Sequence, residues 1–234
     1  MRACHEGVGL SASWFKMSAK AGVEIRYGSA LTSLRQDRRG RVCGVVVRDK
    51  DGISEISARA VVLACGGFEA NAQWRAQYLG APWDHAKVRG TRHNQGDGLR
   101  LALDIGAMPC GQWSGCHATP ISAEWADFAD RKLTDKSNRL SYLYGVMVNQ
   151  HGKRFVDEGE DMQFFTYAKF GRAILGQPGG KVYQIFDAKT VHLLESRYAN
   201  SDPLRAPVGQ RFDCRGDPAL VRIAGVAIEG NPHE

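Results

Sequence analysis

Several side chains able to do chemistry gather in the second half of the sequence. Phe165, Lys169 and Arg172 recur at i, i+4 and i+7, so a helix there carries them on one face, with Tyr167 off it. A guanidinium such as that of Arg172 holds a carboxylate through two parallel hydrogen bonds, and Lys169 or Tyr167 can move a proton once its pKa is lowered. The plainer reading of the same spacing is a solvated basic face. His117, in the run Trp113-Ser114-Gly115-Cys116-His117, can donate to a carboxylate and, once protonated, offset its charge; taken alone it reads as an ordinary surface or core histidine. Arg154 and Glu158 are spaced for an i, i+4 ion pair if that stretch is helical, which reads as a structural clamp. In the first half the candidates are glycines. Gly66 and Gly67 end an apolar run and let backbone approach a bulky ligand, although a tight strand-to-loop turn asks for the same residues. Gly96 and Gly98 flank Asp97 where a helical pattern begins, and Asp97 can cap that helix.

These groups need elements to position them. Leu10, Trp14, Met17 and Ala21 recur at helical spacing over residues 6 to 21, with Gly22 past the last turn. Val23 to Tyr27 reads as a short strand and Ala30 to Gln36 as another. The turn Asp37-Arg38-Arg39-Gly40 leads into a strand over Arg41 to Arg48, and Lys50-Asp51-Gly52 into one over Ile53 to Ser57, which makes a β-meander. The run from Ala60 to Cys65 is continuously apolar and ends on Gly66-Gly67, the pattern of a parallel strand buried on both faces. Parallel strands imply crossover connections and an α/β fold. Past about Gln112 the turn residues scatter. The pattern predicts a loop-rich stretch through Ser137, a strand over Tyr142 to Asn149, a helix over Asp161 to Leu175, a strand over Lys181 to Phe186, and loop from Asp202 on. The change of character divides the chain into residues 1–112, with the parallel sheet and the three-stranded meander, and residues 113–234, an α+β cap.

Composition narrows the partners. A chain of 234 residues, 43% hydrophobic, can bury a sizeable core. Its apolar runs are far shorter than the roughly 20 residues a membrane span needs, and its first residues carry charge where an export signal has an apolar core, so the expectation is a cytoplasmic chain with no span. The six cysteines include no Cys-x-x-Cys pair; they read as reduced, mostly buried thiols, and no metal is expected. The net charge of +6 and pI near 9.1 fit an anionic small molecule as well as nucleic acid; no basic stripe with interleaved aromatics accompanies them, and no nucleic-acid partner is expected.

Three blocks, ARAVVLACGGFEAN, GTRHNQGDGLRLALDIGA and GVMVNQHGKRFVDE, stand in an order and at a spacing that resemble the flavoprotein family of soluble fumarate reductase, succinate dehydrogenase, ketosteroid dehydrogenases and tricarballylate dehydrogenase. The resemblance covers most of residues 6 to about 190. The stretches YLYGVMVNQHGKRFVDEGED and TYAKFGRAILGQPG are most similar to tricarballylate dehydrogenase. It implies FAD as cofactor, with Ala64, Gly66, Gly67, Asn94, Gly96, Asp97 and Gly98 beside it. It also implies a di- or tricarboxylate substrate oxidised or reduced at a carbon–carbon bond, and an electron-acceptor protein in the parent system. His117 falls where the family has His-Pro-Thr and binds a substrate carboxylate; Ala118 replaces the proline and Thr119 is retained. Arg154 joins His117 and Thr119 as a substrate-binding candidate. In fumarate reductases an arginine seven residues past the phenylalanine of the third block delivers the proton. Counting from Phe155 gives Met162, which argues against fumarate reduction and leaves Arg172, Lys169 and Tyr167 as candidates for catalysis.

The family's Gly-x-Gly-x-x-Gly turn, which seats a pyrophosphate on a helix N-terminus, is not found; Gly7/Gly9 and Gly96/Gly98 lack the third glycine. The expectation is an internal portion of a longer flavoprotein that binds FAD weakly by itself. The alternatives are a non-catalytic remnant or binding module that does not hold FAD by itself, or an enzyme resembling fumarate reductase or ketosteroid dehydrogenase.

Overall fold

Alternating apolar side chains and two glycine-bearing turns fold residues 30–57 into an antiparallel meander. The computed structural model describes residues 6–123, 125–128, 137–195 and 220–228, giving the backbone alone for 6–8, 191 and 220–228. Strands β1 (Ala30–Gln36), β2 (Val42–Asp49) and β3 (Gly52–Ser57) pair in that order, with Leu34 opposite Val45 and Val47 opposite Ser54. The β1–β2 turn is pinned by Asp37, whose carboxylate accepts from the Arg39 and Arg41 amides at 2.9 and 3.0 Å. Those amides hold the Asp37 carboxyl below its usual range. Ahead of the meander, α1 spans Glu6–Lys20 and stops at Gly22, whose φ of 73° suits a glycine. Residues 23–27 form no strand. They have no ladder partner among the described residues, and Tyr27 is 75% exposed, so five alternating residues lack both the hydrogen bonds and the covered face a strand requires. Met1–Val62 is one compact unit.

Leu63–Glu234 is the other. The apolar run at residues 60–65, which straddles the boundary, is not the buried parallel strand that its composition predicts. It has no regular structure and Val62 is 89% exposed. An apolar run becomes such a strand only where neighbours pair its edges and cover its faces, and the described residues offer neither. Next come α2 (Ala72–Trp74), running on into a π-helical turn at Arg75–Leu79, then β4 (Lys87–Val88) and α3 (Asp97–Asp104). Strand β5 (Ala118–Ser122) follows. The stretch read as one strand from Tyr142 divides into a 3-10 turn at Ser141–Tyr144 and β6 (Val146–Asn149). Helix α4 (Gln163–Leu175) and β7 (Val182–Phe186) fall close to where periodicity puts them.

The stretch after Asp202 contains β8 (Leu220–Ile228) where loop was expected; residues 201–219 lie outside the described part. The sheet runs β4-β8-β7-β6, with β5 also on β8. Only the short β4–β8 pairing is parallel among these ladders, so the sheet is mainly antiparallel and draws on strands from both sides of Gln112. Helix α4 covers it: Phe170, Ile174 and Leu175 are buried with Ala118, Tyr142, Met147 and Val182. Each large side chain so removed from water contributes about 1.5–3 kcal/mol. Among the described residues no helix is long and apolar enough to cross a membrane. Four cysteines are described, all free, and none is buried as expected: Cys43 and Cys116 are half-buried, Cys65 and Cys110 exposed.

Candidate cofactor turn and substrate site

The glycines singled out in the sequence meet in space. The Gly96 amide donates to the Gly67 carbonyl at 3.0 Å and the Ala70 amide to the Asn94 carbonyl at 2.9 Å, which ties residues 67–70 to 94–96. Gly66 has φ 73°, and a Cβ there would lie 3.0 Å from the Asn94 amide nitrogen. A Cβ on Gly98 would lie 3.0 Å from that of Cys65, so the first turn of α3 packs directly on the turn. Asp97 does not cap α3. Gly96 does, at φ 84°, because the Trp74 ring stands 2.7 Å from where its Cβ would be; Asp97 is an exposed first-turn residue whose charge favours the helix N-terminus. Ala64, Cys65 and Gly66 face solvent. The Phe68, Trp74, Tyr78 and Trp113 rings pack together at centroid distances from 4.9 to 6.3 Å and brace the turn's flank.

Sequence reasoning passed over Arg75. It is 3% exposed and gives its guanidinium to four carbonyls: Trp83 at 2.8 Å, Glu69 at 2.5 Å, and Asp84 and Ala86 at 3.0 Å. Burial pulls its pKa down, yet every bond is to a neutral carbonyl that fixes the segment from Glu69 to Ala86. Burial also pushes the nearby Cys116 thiol up to about 11, with the charge of Glu69 adding to the effect.

The second group lies where α4 crosses β5. A Cβ on Gly171 would come within 2.6 Å of the Ala118 carbonyl carbon, so helix and strand backbones touch there. One turn earlier on the same side, Tyr167 stands edge-on to His117, centroids 5.0 Å apart. Both rings are half-buried. Thr119 is fully buried and its hydroxyl has no hydrogen-bond partner in the described structure. An orphaned hydroxyl in such a place costs about 1–3 kcal/mol until something bonds to it.

The cations separate by partner. Arg154 pairs with Glu158 across a turn rather than along a helix, and the buried Glu158 carboxylate also accepts from the Met147 amide, so the pair clamps β6. That carboxylate raises the Arg154 pKa further. Lys169 gives its ammonium to Glu160 at 2.5 and 2.6 Å. Arg172 is exposed, about 140° round the helix from Tyr167 by the 100° step per residue, so α4 does not bring it to His117. Phe165, on the Lys169 side, is 73% exposed, and Met162 is 70% exposed just ahead of α4. Among the described residues no three His, Cys, Asp or Glu side chains gather as metal ligands.

The family model described as FAD binding domain matches residues 2–214. This chain belongs to the FAD-binding domain family. The family cofactor is FAD. Over 148 residues the chain is 32% identical to a 3-oxosteroid 1-dehydrogenase of Mycobacterium tuberculosis, covering 59% of this chain and 24% of that one. It is 32% identical over 174 residues to a probable fumarate reductase, Ifc3, of Shewanella frigidimarina, covering 74% of this chain and 27% of that one. The chain thus spans about a quarter of the length of these relatives. In fold it is similar to the open conformation of a flavocytochrome c3 fumarate reductase, with TM-score 0.68 and 21% identity over 96% of this chain and 46% of the other.

The turn at residues 64–67 fits FAD. Its exposed face carries only Ala64, Cys65 and glycine backbone, the positive φ of Gly66 suits a close approach, and a half-buried aromatic flank adjoins it. Glu69 and Arg75, which hold this turn, left one trace in the sequence: a carboxylate two residues past Gly67 and a cation six further on.

Proposed function

We propose that this chain is part of an FAD-dependent oxidoreductase that oxidises or reduces a carbon–carbon bond next to a carboxylate, in the manner of tricarballylate dehydrogenase. Residues 1–112 serve the flavin and residues 113–234 cap the substrate. FAD, when bound, supplies the two-electron exchange. The chain's residues bind and orient. Ala64, Gly66, Gly67, Gly96, Asp97 and Gly98 take FAD with Asn94 behind them, and His117 donates to a substrate carboxylate while the Thr119 hydroxyl gains its missing partner there. Tyr167, edge-on to His117, is the proton carrier that can reach the same substrate atoms. Arg172, on another side of α4, is the candidate for a second carboxylate, held bidentately, and Lys169 joins it once it exchanges Glu160 for the substrate, while Arg154 stays with Glu158 and supports the site through β6. In the oxidising direction an acceptor protein takes the two electrons from the flavin; in the reducing direction a donor supplies them. The observation that carries this reading is the His117–Tyr167 pair beside the orphaned Thr119 hydroxyl.

A second reading replaces the polycarboxylate with a cyclic ketone. It is favoured by Met162, Phe164 and Phe165, exposed by 70%, 79% and 73% at the start of α4, where Phe164 shares the Tyr167–Gly171 side of the helix. A surface so apolar suits a ring better than a third carboxylate.

The test is steady-state kinetics at known flavin occupancy with tricarballylate, succinate and a 3-oxosteroid. His117→Ala is expected to lower kcat/KM for the true substrate by about ten- to a hundredfold, or roughly 1.5–3 kcal/mol, the value of one charge-assisted bond. Arg172→Ala does the same only for a polycarboxylate. Turnover of the steroid alone, indifferent to Arg172, would decide for the ketone, and unchanged kinetics of His117→Ala would remove the site from β5.

A further inference from the structure

Behind the turn given above to FAD lies a side-chain pair whose mutual bond has no assigned role. The Asn94 amide donates to the Glu69 carboxylate. Each partner backs one glycine. A Cβ on Gly66 would lie 3.0 to 3.1 Å from the Asn94 side-chain atoms, and a Cβ on Gly67 2.9 Å from Glu69 Oε2. The pair therefore fills the rear of the turn and leaves its front to the ligand. Three bonds frame it: Ala70 amide to Asn94 carbonyl at 2.9 Å, Gly96 amide to Gly67 carbonyl at 3.0 Å, and Arg75 Nη1 to the Glu69 carbonyl at 2.5 Å. Charge gives the pair a second task. FAD brings an anionic pyrophosphate, and a free carboxylate two residues from the glycines would repel it; a carboxylate tied to an amide behind the turn is kept from swinging forward.

We propose that the Asn94–Glu69 hydrogen bond positions the Gly66–Gly67 turn for FAD, with both side chains acting through the turn. The inference rests on the reading that this turn touches FAD. Asn94→Asp puts two carboxylates face to face and opens the clasp. The double variant Asn94→Asp/Glu69→Gln returns one donor and one acceptor with their places exchanged. Two readouts on the purified chain separate the possibilities: amide hydrogen exchange without FAD, and FAD affinity by flavin fluorescence titration.

Asn94→Asp is expected to speed exchange at the Ala70 and Gly96 amides, to leave the β6–β7 amides unchanged, and to weaken FAD binding about tenfold or more, as losing a bond to a charged group does. The double variant is expected to recover both to within about threefold. Unchanged exchange in Asn94→Asp overturns the proposal, and so does altered exchange with unaltered FAD affinity. Gly67→Val guards the underlying reading: if it binds FAD as well as the wild type, the turn is not the FAD contact and both fall. If Gly67→Val loses FAD while Asn94→Asp keeps it, the clasp alone is wrong.

Discussion

A hydroxyl without a partner makes Thr119 a residue whose value changes with occupancy. In the ligand-free chain its side chain is buried and bonded to nothing described. Thr119→Val keeps the shape and removes the unmet polar group, so the ligand-free chain is expected to gain about 1 kcal/mol, read as a higher urea midpoint at unchanged slope. The same variant is expected to bind substrate more weakly. A midpoint equal to or below that of the wild type would mean the hydroxyl is already satisfied. The Tyr167–His117 contact was beyond the sequence, because 50 positions separate the rings and only the crossing of α4 over β5 brings them together. The Arg154–Glu158 pair was legible from its spacing, although a turn and not a helix closes it.

Where elements meet, backbone contact sets the limits. Gly171 lets α4 touch β5, and the atoms a new Cβ would meet at 2.6 to 2.8 Å belong to the Ala118 and Thr119 backbone, which cannot rotate away. Gly171→Ala would gain about 1 kcal/mol of helix propensity and lose more to overpacking, for a net destabilisation of about 1–3 kcal/mol by thermal or urea unfolding. Gly176→Ala is the control: it caps the same helix at φ −76°, with its nearest prospective contact an ordinary 3.6 Å from the Ala173 carbonyl, and is expected to be neutral or slightly stabilising. If both variants behave alike, the α4–β5 contact is looser than described. The meander was legible because its turns announce themselves in Asp37 to Gly40 and Lys50 to Gly52 between alternating strands. Residues 60–65 were misread because an apolar run carries no record of whether anything covers it. In β8 the signal was present and overlooked: Leu220-Val221-Arg222-Ile223 and Val226-Ala227-Ile228 are strand-forming, but the loop-like residues before them set the expectation.

For the molecule as a whole, a half-buried thiol and a buried phenol set an alkaline limit. Burial holds the Cys116 thiol at about 11 against an ordinary 9.0, and the Tyr142 phenol at about 12 against 10.0, in spite of the Thr166 hydrogen bond that favours the charged form. Well below pH 9 both groups are protonated, folded or unfolded, and stability does not depend on them. Above it the unfolded chain gives up protons that the folded chain retains, so stability falls with rising pH, from about 9 to 11 through Cys116 and from about 10 to 12 through Tyr142. The urea midpoint is expected to be level at neutral pH and to decline from about pH 9, with Cys116→Ala delaying the onset by about a pH unit; a wild-type midpoint level through pH 11 would contradict the burial of both. The larger unit has a further property, set by the order in which its strands are made. Among the described residues the ladders of β4 and β5 both lie on β8, the latest strand described, while Val88 and Ile121 have single bridges to Phe128 and Asn138. A ribosome paused short of Leu220 therefore holds a nascent chain with a β6–β7 hairpin and with β4 and β5 joined only by single bridges, and through that interval chaperones and proteases compete for the edges that β8 will close.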